Sequence, residues 1–220
     1  MRAGAAYGTM EDMNADQVAA LRVLLAPTGW LDRTRYFARA LRVSARTPQG
    51  LLVVGTPEDE PWHMTAHLAD EARLAHIPEL APTLIRWSPP PGAPAHLRVG
   101  LDRLAAAGRS ETLLVVSPQA PPAELLERVS DVRRAGATIL ALDRGDPELI
   151  ALAHEALAVP EATAPLSFDA AQHLVTAATG DAPGAVRRGS HRPAPSGTSL
   201  RSRLAQLLNT VSGPPPGSAD

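Results

Sequence analysis

The chain has 220 residues, a formal net charge of −2 and a pI near 6.4, so it carries no general attraction to nucleic acid or to an anionic membrane. It contains no cysteine and its 21 basic residues are all arginine, which excludes disulfides, thiolate nucleophiles, Schiff-base lysines and P-loop lysines together. The length suits one α/β domain with extensions, and an aromatic content of 3% leaves little material for base-stacking platforms.

In chain order, residues 1–12 read as a loose, Gly/Ala-rich, disordered leader. They turn acidic where a signal peptide needs its apolar core, and no stretch approaches the roughly 18 apolar residues of a membrane span. A cytoplasmic protein with no membrane span is expected, and the bias toward Arg, Ala, Pro and Gly is of the kind that a GC-rich bacterial genome produces. Asn14 or Asp16 can cap a helix with Val18, Leu21, Leu24 and Leu25 on one face, ending before Pro27. Residues 30–44, WLDRTRYFARALRVS, predict a second helix. Leu31, Tyr36, Phe37, Leu41 and Val43 are its expected core positions, with Arg33, Arg35, Arg39 and Arg42 outside.

The α/β body starts after Gly50. Residues 51–54 are the first strand, and Gly55-Thr56-Pro57-Glu58-Asp59-Glu60-Pro61 is its outgoing loop. A helix over 62–75, a strand over 83–87, a proline-rich turn over 88–94 and a helix over 95–107 stopped by Gly108 follow. Residues 112–116 form a short Val/Leu-rich run that suits a strand covered on both faces. Ser117-Pro118-Gln119-Ala120-Pro121-Pro122 stops it. Residues 123–135 place Leu125, Leu126, Val129 and Val132 at helical spacing, with Gly136 where a helix C-cap belongs. The run 137–142 is the next strand, and Asp146-Pro147-Glu148 opens a helix with a capping Asp, Pro at the first position and an acid in the first turn. Residues 156–159 add a short fifth strand. A helix over 168–178 packs back through Ala171, Leu174, Val175 and Ala178. Strands alternating with helices at this spacing predict right-handed crossovers and a parallel sheet: a three-layer, Rossmann-like α/β domain over 13–180 with N-terminal helices.

Beyond Gly180 the sequence has almost nothing to bury. Residues 181–198 read as a linker, 199–211 as an amphipathic helix and 212–220 as a disordered tail, together a flexible C-terminal arm. Five Arg against two Asp make the arm +3 and leave −5 on the body. Leu200, Leu204, Leu207, Leu208 and Val211 form one apolar side. A tethered helix of this kind docks on its own body or in a groove of another protein, so these five are the expected partner-binding residues.

Loops leaving the C-terminal ends of parallel strands are where such folds bind ligands. That places Thr56, Glu58, Asp59, Ser88, Ser117, Gln119, Asp143 and Arg144 as candidate ligand-binding residues. Asp143 serves equally as a turn-forming residue before Gly145-Asp146-Pro147. His63 and His67 stand one helical turn apart, the spacing with which two imidazoles grip one zinc or similar ion, without the Glu that follows the first His in zinc proteases. No Ser sits in a nucleophile elbow, and no Gly-x-Gly-x-x-Gly or Walker sequence occurs. No catalytic residue is assigned and no cofactor is expected.

Two stretches, WLDRTRYFARALRVSARTPQGLLVVGTPEDEPWHMTAHLADEA and VSPQAPPAELLERVSDVRRAGATILALDRGDPELIALAHEALAVP, together resemble the sugar isomerase (SIS) domain family over about residues 30–160. Ser117, Glu124, Gly136, the ILAL strand, Pro147, Leu149 and the HEALAVP ending stand in that family's order. The resemblance implies a SIS-like fold that pairs as a homodimer. In phosphosugar-binding members, a Gly-Thr/Ser turn and a Ser-x-Ser-Gly-x-Thr turn cradle the phosphate with hydroxyls and backbone N–H groups. Here Pro57 and three acids follow Gly55-Thr56, and three prolines occupy the second turn. Proline offers no N–H, and each carboxylate repels a phosphate by about 1 kcal/mol at 4 Å in water. Phosphosugar binding in that manner is therefore not expected. The run strand, Ser, helix, Gly-Ala, strand also resembles von Willebrand A domains, whose Asp-x-Ser-x-Ser motif is absent. The expected function is a non-catalytic binding or scaffolding protein with a partner-recruiting C-terminal helix. The rival expectation is a sensor or isomerase-type enzyme taking a sugar-like or metal ligand at the strand ends.

Overall fold

The computed structural model describes Leu25 and residues 28–164 and 166–180. The expected leader, the bulk of the first helix, the linker, the amphipathic helix with Leu200, Leu204, Leu207, Leu208 and Val211, and the tail lie outside the described residues.

Five all-parallel strands form one sheet: β1 (Leu51–Val54), β2 (Pro82–Ile85), β3 (Thr112–Ser117), β4 (Thr138–Asp143) and β5 (Glu155–Ala158), in the order β2-β1-β3-β4-β5. Among the described residues, the named α-helices that accompany them are α1 (Trp30–Ser44), α2 (Trp62–Leu74), α3 (Ala123–Arg134), α4 (Pro147–Leu152) and α5 (Phe168–Gly180). Side chains alternate along each strand, so each central strand feeds two cores. Leu51, Val53, Leu114, Val116, Leu140 and Leu142 face α1, α2 and α5, where Phe37, Leu41, Met64, Leu68, Ala171 and Val175 cover them. Leu52, Val54, Leu113, Val115, Ile139 and Ala141 face α3 and α4, under Leu125, Val129, Val132 and Leu149. This is the three-layer α/β architecture expected from the sequence and from the resemblance to sugar isomerase domains.

The helix faces follow from handedness. From β1 the chain steps outward to β2 through α2 on one face, and from β3 it steps the other way through α3 and α4 on the opposite face. Right-handed crossovers require that change of face when the direction of winding reverses. The reversal puts the topological switch point between the C-terminal ends of β1 and β3, and ligands of open α/β sheets sit there.

Local signals place the boundaries. Asp146 caps α4, its carboxylate accepting from Glu148 N at 3.0 Å and Leu149 N at 2.9 Å. Gly136, at φ 100°, ends α3, with its own N–H donating to Arg133 O and that of Ala137 to Val132 O. His76 takes the same left-handed role after α2, at φ 56°, while Ile77 N donates to Ala72 O at 2.9 Å.

Two expectations are corrected. The segment 95–107 does not form an α-helix: it makes two 3₁₀ turns, Ala95–Leu97 and Leu101–Ala106, around Gly100 in extended conformation. Arg86 N donates to Val99 O at 2.9 Å, and Arg86 bridges Gly100 in parallel. The segment thus lends its backbone to the outer edge of β2, and a sheet edge competes successfully with a weak helix. In α1, Tyr36 and Val43 are both 63% exposed, while Trp30, Thr34 and Ala38 are buried. The buried stripe therefore runs through 30, 34, 37, 38 and 41, about 100° per residue from Phe37.

Candidate functional site

The loop after β1 is held shut by its own bonds. Thr56 N donates to Asp59 O at 3.1 Å, and Asp59 N returns bonds to Thr56 O at 3.3 Å and Thr56 Oγ1 at 3.2 Å. The fully buried Thr56 hydroxyl also donates to Gln119 Oε1 at 3.3 Å, tying the end of β1 to the turn after β3 across the switch point. Gly55 is required for close approach, since a Cβ there would lie 2.1 Å from Asp59 O and 2.6 Å from Pro61 Cδ. After β3, the buried Ser117 hydroxyl donates to Gln119 O at 2.7 Å. Both hydroxyls that a phosphate cradle would draw on are thus engaged within the protein.

At the end of β4, Asp143 is fully buried. Its Oδ2 accepts from Gly145 N at 3.1 Å and Asp146 N at 2.6 Å, the turn-forming role anticipated for it, while Oδ1 has no hydrogen-bond partner among the described residues. Burial pushes its carboxyl above the usual aspartate range, against the pull of those two N–H donors.

Above these buried groups lies a cleft of about 390 Å³ between the loop after β1, Pro118, Arg144 and the start of α5. Asp59, Trp62, Arg144, Phe168, Asp169 and Gln172 line it. Arg144 donates to Pro118 O at 3.4 Å and Val159 O at 3.3 Å, and its guanidinium lies 5.2 Å from the Phe168 ring centre. Partial burial, and then the charge of Asp169, raise the Asp59 carboxyl above its ordinary value. Glu60, at the rear wall, is committed: it pairs with Arg86 at 2.8 Å and accepts from Trp87 N and Trp62 Nε1.

Beside the cleft, His63 and His67 on α2 meet His173 on α5. The Nε2 atoms of His63 and His67 are 2.8 Å apart, and those of His63 and His173 are 3.1 Å apart. Burial first, and then the neighbouring imidazoles, lower the pKa of His67 to about 4; burial lowers that of His173 as well. Asp169 Oδ2 lies 3.5 Å from His173 Nε2.

Of the residues singled out in the sequence, Asp59 and Arg144 line the cleft, and Thr56, Ser117 and Asp143 are buried beneath it. Glu58, Ser88 and Gln119 are exposed and outside its lining. His63 and His67 come together as the spacing predicts. His173, Asp169 and Gln172 were not anticipated, because only the packing of α5 on α2 brings them to the site. A trace is present in the pattern Asp169-x-x-x-His173, an acid and an imidazole on one helical face.

No model of a known protein family matches the sequence, and no curated protein does. Among solved structures, the chain is similar to a protein described as a candidate phosphosugar isomerase from Silicibacter pomeroyi DSS-3, at 17% identity and TM-score 0.48, covering 90% of this chain and 54% of that one. It is also similar to two Salmonella typhimurium LT2 proteins. One is described as a candidate phosphosugar isomerase, at 14% identity and TM-score 0.43, over 69% of this chain and 42% of that one. The other is described as a candidate sugar-binding protein, at 14% identity and TM-score 0.38, over 86% and 55%. The chain spans about half the length of these structures. Among the described residues, no helix is long and apolar enough to cross a membrane.

Proposed function

We propose that this protein is a non-catalytic binding domain whose strand-end cleft takes a small, hydroxyl-rich, unphosphorylated ligand of the sugar type. The observation that supports it is the division of labour at the strand ends. Thr56 and Ser117 engage their hydroxyls within the protein and Asp143 commits Oδ2 to the turn that follows it, while Asp59, Arg144, Asp169 and Gln172 remain around a cleft of about 390 Å³, within the usual range of about 300–1,000 Å³ for ligand sites. Carboxylates accept from hydroxyls and from an amine, and Arg144 donates. The paired acids Asp59 and Asp169 disfavour a phosphate in the same space. Binding would then be passed on by contact with another chain, a second copy or a partner reached through residues 199–211, and Tyr36 and Val43 offer exposed apolar surface for a second copy.

A second reading, an isomerase-type enzyme, draws on Asp59, whose raised carboxyl beside a cleft has the character of a general acid or base.

Thermal-shift measurements with free sugars, amino sugars and sugar phosphates test the first reading. Stabilisation by an unphosphorylated member, lost in Asp59→Asn and Arg144→Ala, is the expected result. Stabilisation by sugar phosphates in preference, or by none of the panel, overturns it. Chemical conversion of a stabilising sugar on prolonged incubation favours the second.

A further inference from the structure

We propose that His63, His67 and His173 form a binding site for one divalent late first-row metal ion, zinc above all. The proposal is independent of the reading of the cleft.

The geometry is that of ligands gathered around a common point. A tetrahedral zinc with Zn–N bonds of about 2.0–2.1 Å holds its nitrogens about 3.3 Å apart. Here two Nε2–Nε2 separations are 2.8 and 3.1 Å, and one ligand nitrogen from each of the three residues lies within 4.8 Å of the others. The rings stand edge to face, at 81° for His63 with His67 and 82° for His63 with His173. Side chains that stacked for contact area alone would not need to aim their nitrogens inward.

Without an ion the arrangement is poorly satisfied. A neutral imidazole nitrogen carries either one proton or one in-plane lone pair. His63 Nε2 faces both His67 Nε2 and His173 Nε2, and it can serve one of them at full strength. A cation accepts all three lone pairs at once. Protonation is no remedy, because like charges this close repel.

The donors also select the ion. Three imidazoles suit zinc and its late first-row neighbours better than magnesium or calcium, which take oxygen ligands. Asp169, 3.5 Å from His173 Nε2, adds negative charge that offsets the cation. Three protein ligands leave a fourth position for water or another donor. His63 and Asp169 both line the strand-end cleft, which brings that position to the edge of the ligand space.

The test uses the untagged full-length chain, stripped with a chelator and titrated with zinc by calorimetry. One equivalent should bind, and His63→Gln, His67→Gln and His173→Gln should each weaken it by at least about tenfold. Cobalt in place of zinc should give a visible absorption band that each variant loses. Two results overturn the proposal: zinc binding no stronger than in the triple variant, or a His173→Gln protein that binds as the parent does, which would reduce the site to a pair on one helix. If His173→Gln fails to fold, His63→Gln decides, since His63 is exposed on α2.

Discussion

Glu60 and Arg86 meet at 2.8 Å across the mouth of β2, both side chains nearly buried at 13% and 14% exposure. Arg86 also lies 4.4 Å from the centre of the Trp62 ring, and the Glu60 carboxylate accepts from Trp62 Nε1 at 3.0 Å and Trp87 N at 3.2 Å. One acid thus fixes the rear wall of the cleft to the edge of the sheet. Glu60→Gln leaves the guanidinium without its counter-charge and turns an NH₂ toward other donors. Breaking a buried pair from one side costs about 3–5 kcal/mol. We expect a loss near the lower end, read as a lower urea midpoint with unchanged slope.

Asp143 gives a pH-dependent prediction. Its carboxyl is raised above 3.8, so over the interval between 3.8 and its folded value the native state holds more protons than the unfolded chain. Stability contributed by this group therefore falls as pH rises through that interval. Asp143→Asn has no such dependence. The difference in unfolding free energy between variant and parent should move in the variant's favour from pH 3.8 to pH 7. Asp143→Ala, which orphans the N–H groups of Gly145 and Asp146, should cost about 1–3 kcal/mol near pH 3.8 and less at pH 7. A parallel pH profile for parent and Asp143→Asn would contradict the assignment.

Thr112 begins β3 fully buried, and its Oγ1 has no hydrogen-bond partner among the described residues. Valine keeps the β-branched shape and removes the unsatisfied hydroxyl. Thr112→Val should raise stability by about 1 kcal/mol, measured by thermal unfolding.

His76 is exposed in the left-handed conformation that ends α2. Glycine holds this conformation without strain, whereas other residues pay about 1–2 kcal/mol, partly offset by glycine's freedom when unfolded. His76→Gly should stabilise the domain by up to about 1 kcal/mol, and an unchanged or lower midpoint would refute this.

The central sheet was legible because its causes are local. Val/Leu runs at 51–54 and 112–116, the Gly136 stop and the Asp146-Pro147-Glu148 cap each name an element without reference to the rest of the chain, and the structure places strands or helix ends there. The failures share a different cause. Residues 95–107 have a helical pattern, but the backbone of Arg86 takes up Val99 O, a competition that no window of sequence contains. Tyr36 and Val43 are apolar, yet α1 turns them away, because α5 settles which side of α1 is covered. The candidate site divides in the same way. The His63/His67 spacing lies on one helix and could be read; His173 is 110 residues from His63, and only tertiary packing joins them.

Helix α5 packs on both α1 and α2, and Arg42 of α1 donates to Thr179 O at 2.9 Å. Its undocking would expose Phe37, Leu68, Ala171 and Val175 in a single step, since all belong to one core. The three helices on this face should therefore open as one cooperative unit, and their slowest amides should exchange with solvent at a common free energy. The layer that carries α3 and α4 has its own core, so its exchange can report a different opening. Helix α5 thereby governs how long α1 remains closed.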